Sequence, residues 1–356
     1  MRHRDILIAG AGIMGLSLAL ELERRGASVT VVERGAPLSE ASTAAAGMLA
    51  AHDPGNPPEL MPLSRLSLAL YPEYLARIEA LSGVAVAFQT SSTLQSVSEA
   101  GASNILSADA LERYLPQLNP SGLQFLHLDE HSIDPRQLAP ALLAAVRATS
   151  IQLLTHTAVR RVRSTSSGVD AEGTSWTHSA GRFIDCTGAW ASATSTVPHL
   201  AVRPVKGQML SVRLPSDLPL QLTFRTPHLY VVPRTSGPNA GRAILGATIE
   251  DVGFDKSTHP ADISSLHAEA AEFLPQLGDA EILETWAGLR PATADHLPLL
   301  GQLPGEPNRM LCTGHFRDGI LLAPASAHLM AQVAMEEKLS IEIRAFSPAR
   351  MMQSHN

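Results

Sequence analysis

Ile6-Leu7-Ile8-Ala9-Gly10-Ala11-Gly12-Ile13-Met14-Gly15, followed after one helical stretch by Ser28-Val29-Thr30-Val31-Val32-Glu33, is the passage that decides the fold. The opening apolar run has no polar alternation, as expected of a strand buried on both faces of a parallel sheet. Leu16 to Arg25 reads as a helix closed by Gly26, and the β-branched run from Ser28 as a second strand. Between strand and helix, Gly10-x-Gly12-x-x-Gly15 has the spacing of a dinucleotide loop. Gly10 permits the tight turn, Gly12 lets a pyrophosphate approach the backbone, and Gly15 lets helix and strand pack closely. The helix start adds N–H donors and a positive dipole end. Glu33, 23 residues after Gly10, stands where it would accept hydrogen bonds from an adenosine ribose. Arg34 follows, but an acid at the strand end speaks against NADP. The loop alone does not separate NAD from FAD.

Working outward, residues 36–58 are rich in Ala, Ser, Gly and Pro and read as a loop holding one short helix, and residues 63–81 read as a helix in spite of Pro72. Short strands alternate with turns from Val84 to Leu128. Asp134-Pro135-Arg136 opens a helix with Asp as N-cap and Pro in the first turn. Ile151–Leu154, Val159–Val162 and Arg182–Cys186 read as strands. From Val202 to Ile249 the pattern is antiparallel, with runs at 208–214, 229–234 and 243–249, and two further helices are expected near His259–Leu274 and Pro324–Glu337. Mixed α/β architecture follows: a doubly wound, Rossmann-type nucleotide domain from residues 1–82, 134–200 and 286–356, with an antiparallel-sheet substrate domain inserted as 83–133 and 201–285.

The chain of 356 residues, 45% hydrophobic and 17% charged, has the composition of a globular protein long enough for two packed domains. A net charge of −7 and 4% aromatic residues argue against nucleic acid or an anionic membrane surface as partner. No stretch approaches the about 18 apolar residues of a spanning helix. The glycine loop interrupts the apolar N-terminus, so it does not read as a secretion signal. Cys186 and Cys312 are the only cysteines and form no C-x-x-C, which argues against a metal site and fits the cytoplasm.

Four further segments narrow the reading: Ala41-Ser42-Thr43-Ala44-Ala45-Ala46-Gly47-Met48, Asp185-Cys186-Thr187-Gly188-Ala189-Trp190, Trp286-Ala287-Gly288-Leu289-Arg290-Pro291, and Gly314-His315-Phe316-Arg317-Asp318-Gly319-Ile320-Leu321. With Pro204-Val205-Lys206-Gly207-Gln208 and Tyr230-Val231-Val232-Pro233-Arg234, they closely resemble the glycine oxidases of thiamine biosynthesis, within the wider D-amino-acid oxidase family. The likeness covers nearly the whole chain. It implies a non-covalent FAD cofactor, with Ile13 and Met14 at the pyrophosphate, Glu33 and Arg34 at the adenosine, and Val159 holding the adenine through its main chain. Ala41 and Ser42 fall where the family contacts FAD, although the family often carries hydroxyls at both. Ala46, Gly47 and Met48 lie along the flavin, Gly188 makes a second glycine turn, and His315, Phe316, Arg317, Asp318, Gly319, Ile320 and Leu321 wrap the pyrimidine side. Cys312 precedes that loop. Some related sarcosine oxidases attach flavin through a cysteine in this region, but the motif differs here and Cys312 reads as a buried strand thiol.

The resemblance also implies a substrate clamp. Arg290 holds an α-carboxylate, since the planar guanidinium fork matches it bidentately. Arg317 faces the substrate, Tyr230 shares the carboxylate, and His228, read as two residues earlier on the same strand face, lies at the pocket entrance. Ile249 stands where some glycine oxidases have methionine. The implied reaction is oxidation of glycine, sarcosine or small D-amino acids by oxygen, without a catalytic side chain, in an enzyme of a family that commonly forms homo-oligomers. A broader D-amino-acid oxidase, a dehydrogenase with another electron acceptor, and a non-catalytic flavin subunit are the competing readings.

Overall fold

The computed structural model describes residues 5–97, 104–192 and 202–352. The β-α-β unit stands at its centre: Asp5–Ala9, helix Ile13–Arg24 and Ser28–Val32, the two strands parallel with Ile6 opposite Val29 and Ile8 opposite Val31. A six-stranded sheet grows on both sides in the order Leu299–Leu303, Glu306–Thr313, Arg182–Asp185, Asp5–Ala9, Ser28–Val32, Gln152–Leu154, and only the first pair is antiparallel. Side chains of the central strand alternate between two cores. Ile6 and Ile8 pack with the helices Ile13–Arg24, Met61–Ser82, Pro135–Arg147 and Gly319–Ala334. Leu7 and Ala9 pack against a three-stranded antiparallel sheet, Arg161–Thr165, Gly168–Glu172 and Thr177–Ala180. Burial on both faces explains why the sequence run is continuously apolar.

A second sheet of seven strands runs in the order Ile282–Ala292, Arg203–Arg213, Arg242–Gly246, Tyr230–Arg234, Thr223–Arg225, Thr93–Val97, Gln124–Leu128. Leu210, Val212, Phe224, Val231 and Leu245 bury one of its faces beneath Leu266, Ala270 and Phe273 of the helix Pro260–Phe273. The opposite face meets residues 46–48, with Ala46, Val232 and Ile244 in contact. At about 25 cal/mol per Å² of apolar surface, such faces supply the main stabilisation of each layer.

Several details differ from the sequence reading. Thr223–Arg225 pairs in parallel with Thr93–Val97, so the larger sheet is antiparallel except at this junction. The strand Ile282–Ala292 lies along Arg203–Arg213 for its whole length, so the boundary expected at 286 falls inside one strand. Ala108–Tyr114 is a helix, N-capped by Ser107 Oγ, which accepts from Ala110 N at 3.2 Å. The strand expected from Val159 starts at Arg161, and that expected through Ile249 stops at Gly246. The final helix, whose periodicity is clearest from Pro324, begins at Gly319, where the family likeness puts its start, and holds Pro324 within it. Asp134 caps the helix Pro135–Arg147 as the sequence suggests, accepting from Arg136 N at 2.9 Å. No helix among the described residues is long and apolar enough to cross a membrane.

Candidate active site

A cleft of about 990 Å³ runs between the carboxyl ends of the parallel strands and the face of the larger sheet. This is where ligands bind in open α/β sheets. Its nucleotide end is built by the glycine loop. Gly10 has φ +99°, and a Cβ there would stand 2.5 Å from Cys186 O; a Cβ on Gly15 would stand 1.9 Å from Gly10 O. The loop therefore lies against its neighbours as closely as bare backbone allows. Gly15 contributes only this packing, while Gly10, Gly12, Ile13 and Met14 line the cleft. Ile13 N, at the helix start, donates to Ser42 Oγ at 2.9 Å. Glu33 is tied to the same loop, accepting from Ala11 N at 2.8 Å and from Gly35 N at 2.9 Å. Arg34 lies 3.7 Å over the Trp190 ring and pairs with Glu40 at 3.1 Å. Val159 and Gly188 complete this end, Gly188 opening a short turn at φ +62°.

The middle of the cleft is floored by Ala41 and Ser42 on a four-residue helix and by Ala46, Gly47 and Met48. Residues 46–48 are pinned from beneath. Arg234 Nη2 donates to Ala46 O at 2.8 Å, and Arg234 pairs with the capping residue Asp134 at 3.6 Å.

At the far end stand Arg290 and Tyr230, on two strands of the larger sheet. The Arg290 guanidinium donates to two main-chain oxygens, Thr248 O at 3.1 Å and Lys206 O at 3.3 Å, and meets the Tyr230 hydroxyl. Among the described residues no acid forms an ion pair with it. Burial holds its pKa below the ordinary arginine range, and Arg317 pushes in the same direction, against Tyr230 and Glu250. Burial raises the Tyr230 hydroxyl, against the attraction of Arg290, so it is a protonated donor at neutral pH. Two glycines, neither anticipated, make room for these groups. A Cβ on Gly207 would come within 2.3 Å of both terminal nitrogens of Arg290, and a Cβ on Gly246 within 2.5 Å of Tyr230 Oη. The available signal was a glycine inside a strand pattern, which marks close approach.

The remaining expected residues surround this end unequally. His228 is exposed in the bend before the strand, at the cleft lining, and not on the strand face. Arg317 is exposed and held sideways by Asp53 Oδ2 at 3.4 Å and Asn56 Oδ1 at 3.3 Å. Phe316, at φ +43°, stacks on His296 with centroids 4.4 Å apart. His315 is buried, its Nε2 2.9 Å from Ser326 Oγ, and burial lowers its pKa to about 3, so it is neutral. Asp318 is buried too, and burial raises its carboxyl to about 6 although Arg317 opposes the shift. Gly319 and Ile320 line the cleft, whereas the Leu321 side chain is in the core. Ile249 is 64% exposed at the rim. Among the described residues no group of acids, histidines and cysteines could hold a metal ion.

Residues 5–333 match the family described as DAO, FAD dependent oxidoreductase. The chain belongs to that family. The bifunctional protein ThiO/ThiG of Synechocystis sp. is 34% identical over 99% of this chain, and the chain spans about half of such relatives, 55% in this case. The glycine oxidase of Bacillus licheniformis is 30% identical with both chains covered in full. The crystal structure of glycine oxidase from Geobacillus kaustophilus superposes with a TM-score of 0.88 at 29% identity, covering 96% of this chain and 97% of the other. Cys312, which precedes the 314–321 loop, is a free, buried thiol. The residues present fit FAD. At Gly12 the bare backbone leaves space at the cleft that a side chain would fill, and two helix starts, at Ile13 and Gly319, open on one cleft.

Proposed function

We propose that this chain oxidises the amine carbon of a small amino acid, glycine foremost, with sarcosine and small D-amino acids as further substrates. The observation that carries the reading is the Arg290 guanidinium, set in the cleft with no acid in an ion pair with it among the described residues. Arg290 is half-buried in the cleft wall without a counter-charge from an acid, and a substrate α-carboxylate would supply that charge bidentately while closing the site from water. Tyr230 Oη is placed to donate to the same carboxylate. His228 and Arg317 frame the entrance. The glycine oxidases among the relatives support the substrate class, and the relatives joined to ThiG support a place in thiazole assembly for thiamine.

Gly10, Gly12, Ile13 and Met14 would hold the FAD pyrophosphate, Glu33, Arg34 and Val159 the adenosine. Ala41, Ser42, Ala46, Gly47, Met48, Gly188 and residues 315–321 would enclose the rest. When bound, FAD supplies a two-electron acceptor for the α-carbon hydrogen and passes the electrons to oxygen. The chain's own part is orientation: Arg290 and Tyr230 fix the carboxylate and hence the α-carbon, converting encounter into an intramolecular step. No side chain has to act as nucleophile or base, because the amine enters neutral, and rates rise toward alkaline pH. Glycine, oxygen and water yield glyoxylate, ammonia and hydrogen peroxide. We propose that the enzyme works in the cytoplasm, as a member of a family that commonly forms homo-oligomers.

A peroxide-coupled screen of glycine, sarcosine, D-alanine and D-proline tests the reading. Peroxide with glycine or sarcosine is the expected result, and no peroxide with any of the four would refute it.

A further inference from the structure

Pro324 stands inside the final helix, Gly319–Ala334, close to the end that opens on the cleft. Proline has no amide hydrogen, so the carbonyl of Ile320 lacks the donor that an uninterrupted helix would supply. The hydroxyl of Tyr71 takes that place, donating to Ile320 O at 2.6 Å. One turn earlier on the helix Met61–Ser82, Ser67 Oγ donates to Leu321 O at 2.6 Å and accepts from Ala325 N at 3.2 Å. Those are the two main-chain groups that a regular helix joins directly. Tyr71 is 1% exposed and Ser67 is wholly enclosed. Burial pushes the Tyr71 hydroxyl well above its ordinary range, so it remains a donor. Tyr74, on the same helix, lies 2.8 Å from Ser17 Oγ of the first helix. One helix thus fastens both helices whose first turns line the cleft.

We propose that Ser67 and Tyr71 are positioning residues for the cofactor: by bridging the main-chain bonds that Pro324 interrupts just behind the first turn, they aim the N-terminus of Gly319–Ala334 at FAD and set its affinity and reduction potential. The inference rests on the reading above that FAD lies against residues 315–321. A helix N-terminus favours negative charge, and the effect fades within one turn. Reduction adds negative charge to the cofactor, so a misdirected turn disfavours the reduced form more than the oxidised form.

The test compares purified holoenzyme with Tyr71→Phe, which keeps the ring and deletes the donor. An unsatisfied buried acceptor should raise the FAD dissociation constant about tenfold. The midpoint potential should fall by about 30 mV, the two-electron equivalent of a tenfold weaker preference for the reduced form. Adding Pro324→Ala to that variant returns an amide hydrogen to Ile320 O and should restore both quantities to within about twofold of the parent. Unchanged affinity and potential in Tyr71→Phe would overturn the inference, as would changes that Pro324→Ala leaves in place. If Tyr71→Phe does not fold, Ser67→Ala takes the same two measurements: the same shifts support the inference and parent values overturn it. A parent protein that binds no FAD would overturn the functional reading itself, and the inference with it.

Discussion

Gly207 forms the seat of Arg290: the guanidinium of one strand lies where the side chain of the neighbouring strand would be, 2.3 Å from a hypothetical Cβ. Gly207→Ala should therefore dislodge the guanidinium while leaving the nucleotide end untouched. The expected outcome is a rise of at least about tenfold in amino-acid KM, equivalent to about 1.4 kcal/mol, with parental FAD content. Steady-state kinetics beside a cofactor assay makes the check, and a KM within twofold of the parent would show that the seat is unnecessary.

Tyr230 stands in the same relation to Gly246, its hydroxyl occupying the space of the missing side chain. Tyr230→Phe removes one hydrogen bond to a charged group, worth about 1.5–3 kcal/mol. On the proposed reading, the loss should appear mainly as a raised KM, since Arg290 would still orient the carboxylate. A variant with unchanged KM and much reduced kcat would assign the hydroxyl to the chemical step instead.

At the nucleotide end, Gly12 faces Ser42 Oγ across the loop, 3.3 Å from where a Cβ would lie. Gly12→Val places a branched side chain in the path of the pyrophosphate. The variant should purify colourless and folded by circular dichroism; a yellow protein with stoichiometric FAD would contradict the assignment of this loop.

Asp318 gives a pH-dependent prediction. Its folded carboxyl titrates near 6, raised chiefly by burial, against an unfolded value near 3.8. The folded state therefore holds this proton more tightly, and the group's contribution to stability is complete below about pH 4 and is lost as pH rises through 6. Asp318→Asn removes that loss. The variant of the cofactor-free protein should gain up to about 3 kcal/mol relative to the parent at pH 8 and change little at pH 4. His315 is present in both proteins and cancels from the comparison. Equal differences at the two pH values would show that Asp318 does not carry the raised pKa.

What could be read in advance follows from where the information lies. The glycine loop, its flanking strands and Glu33 were legible because one short segment holds the whole device, and the backbone geometry demands those residue types. Arg290, Tyr230 and the segment 314–321 were legible through family likeness. The parallel pairing of Thr93–Val97 with Thr223–Arg225 joins segments far apart in the chain, which no local period reveals. The roles of Gly207 and Gly246 depend on Arg290 and Tyr230, which come from other strands, so the strand around each glycine does not reveal them. The sequence reading puts His228 on the strand face, whereas it stands with Pro227 in an exposed bend before a strand that starts at Tyr230. The Ser67 and Tyr71 bonds depend on a helix packed from elsewhere, and nothing in the sequence around Pro324 announces them.

Binding of glycolate, a two-carbon carboxylate without an amine, followed through the absorbance of the bound flavin, tests the carboxylate clamp most directly. The dissociation constant in Arg290→Ala should exceed that of the parent by at least about a hundredfold, in keeping with the 2–5 kcal/mol that a lost partner of a buried charge pair costs, while FAD stays bound. Glycolate binding within about threefold of the parent would contradict the account, because the carboxylate would then be held by other groups.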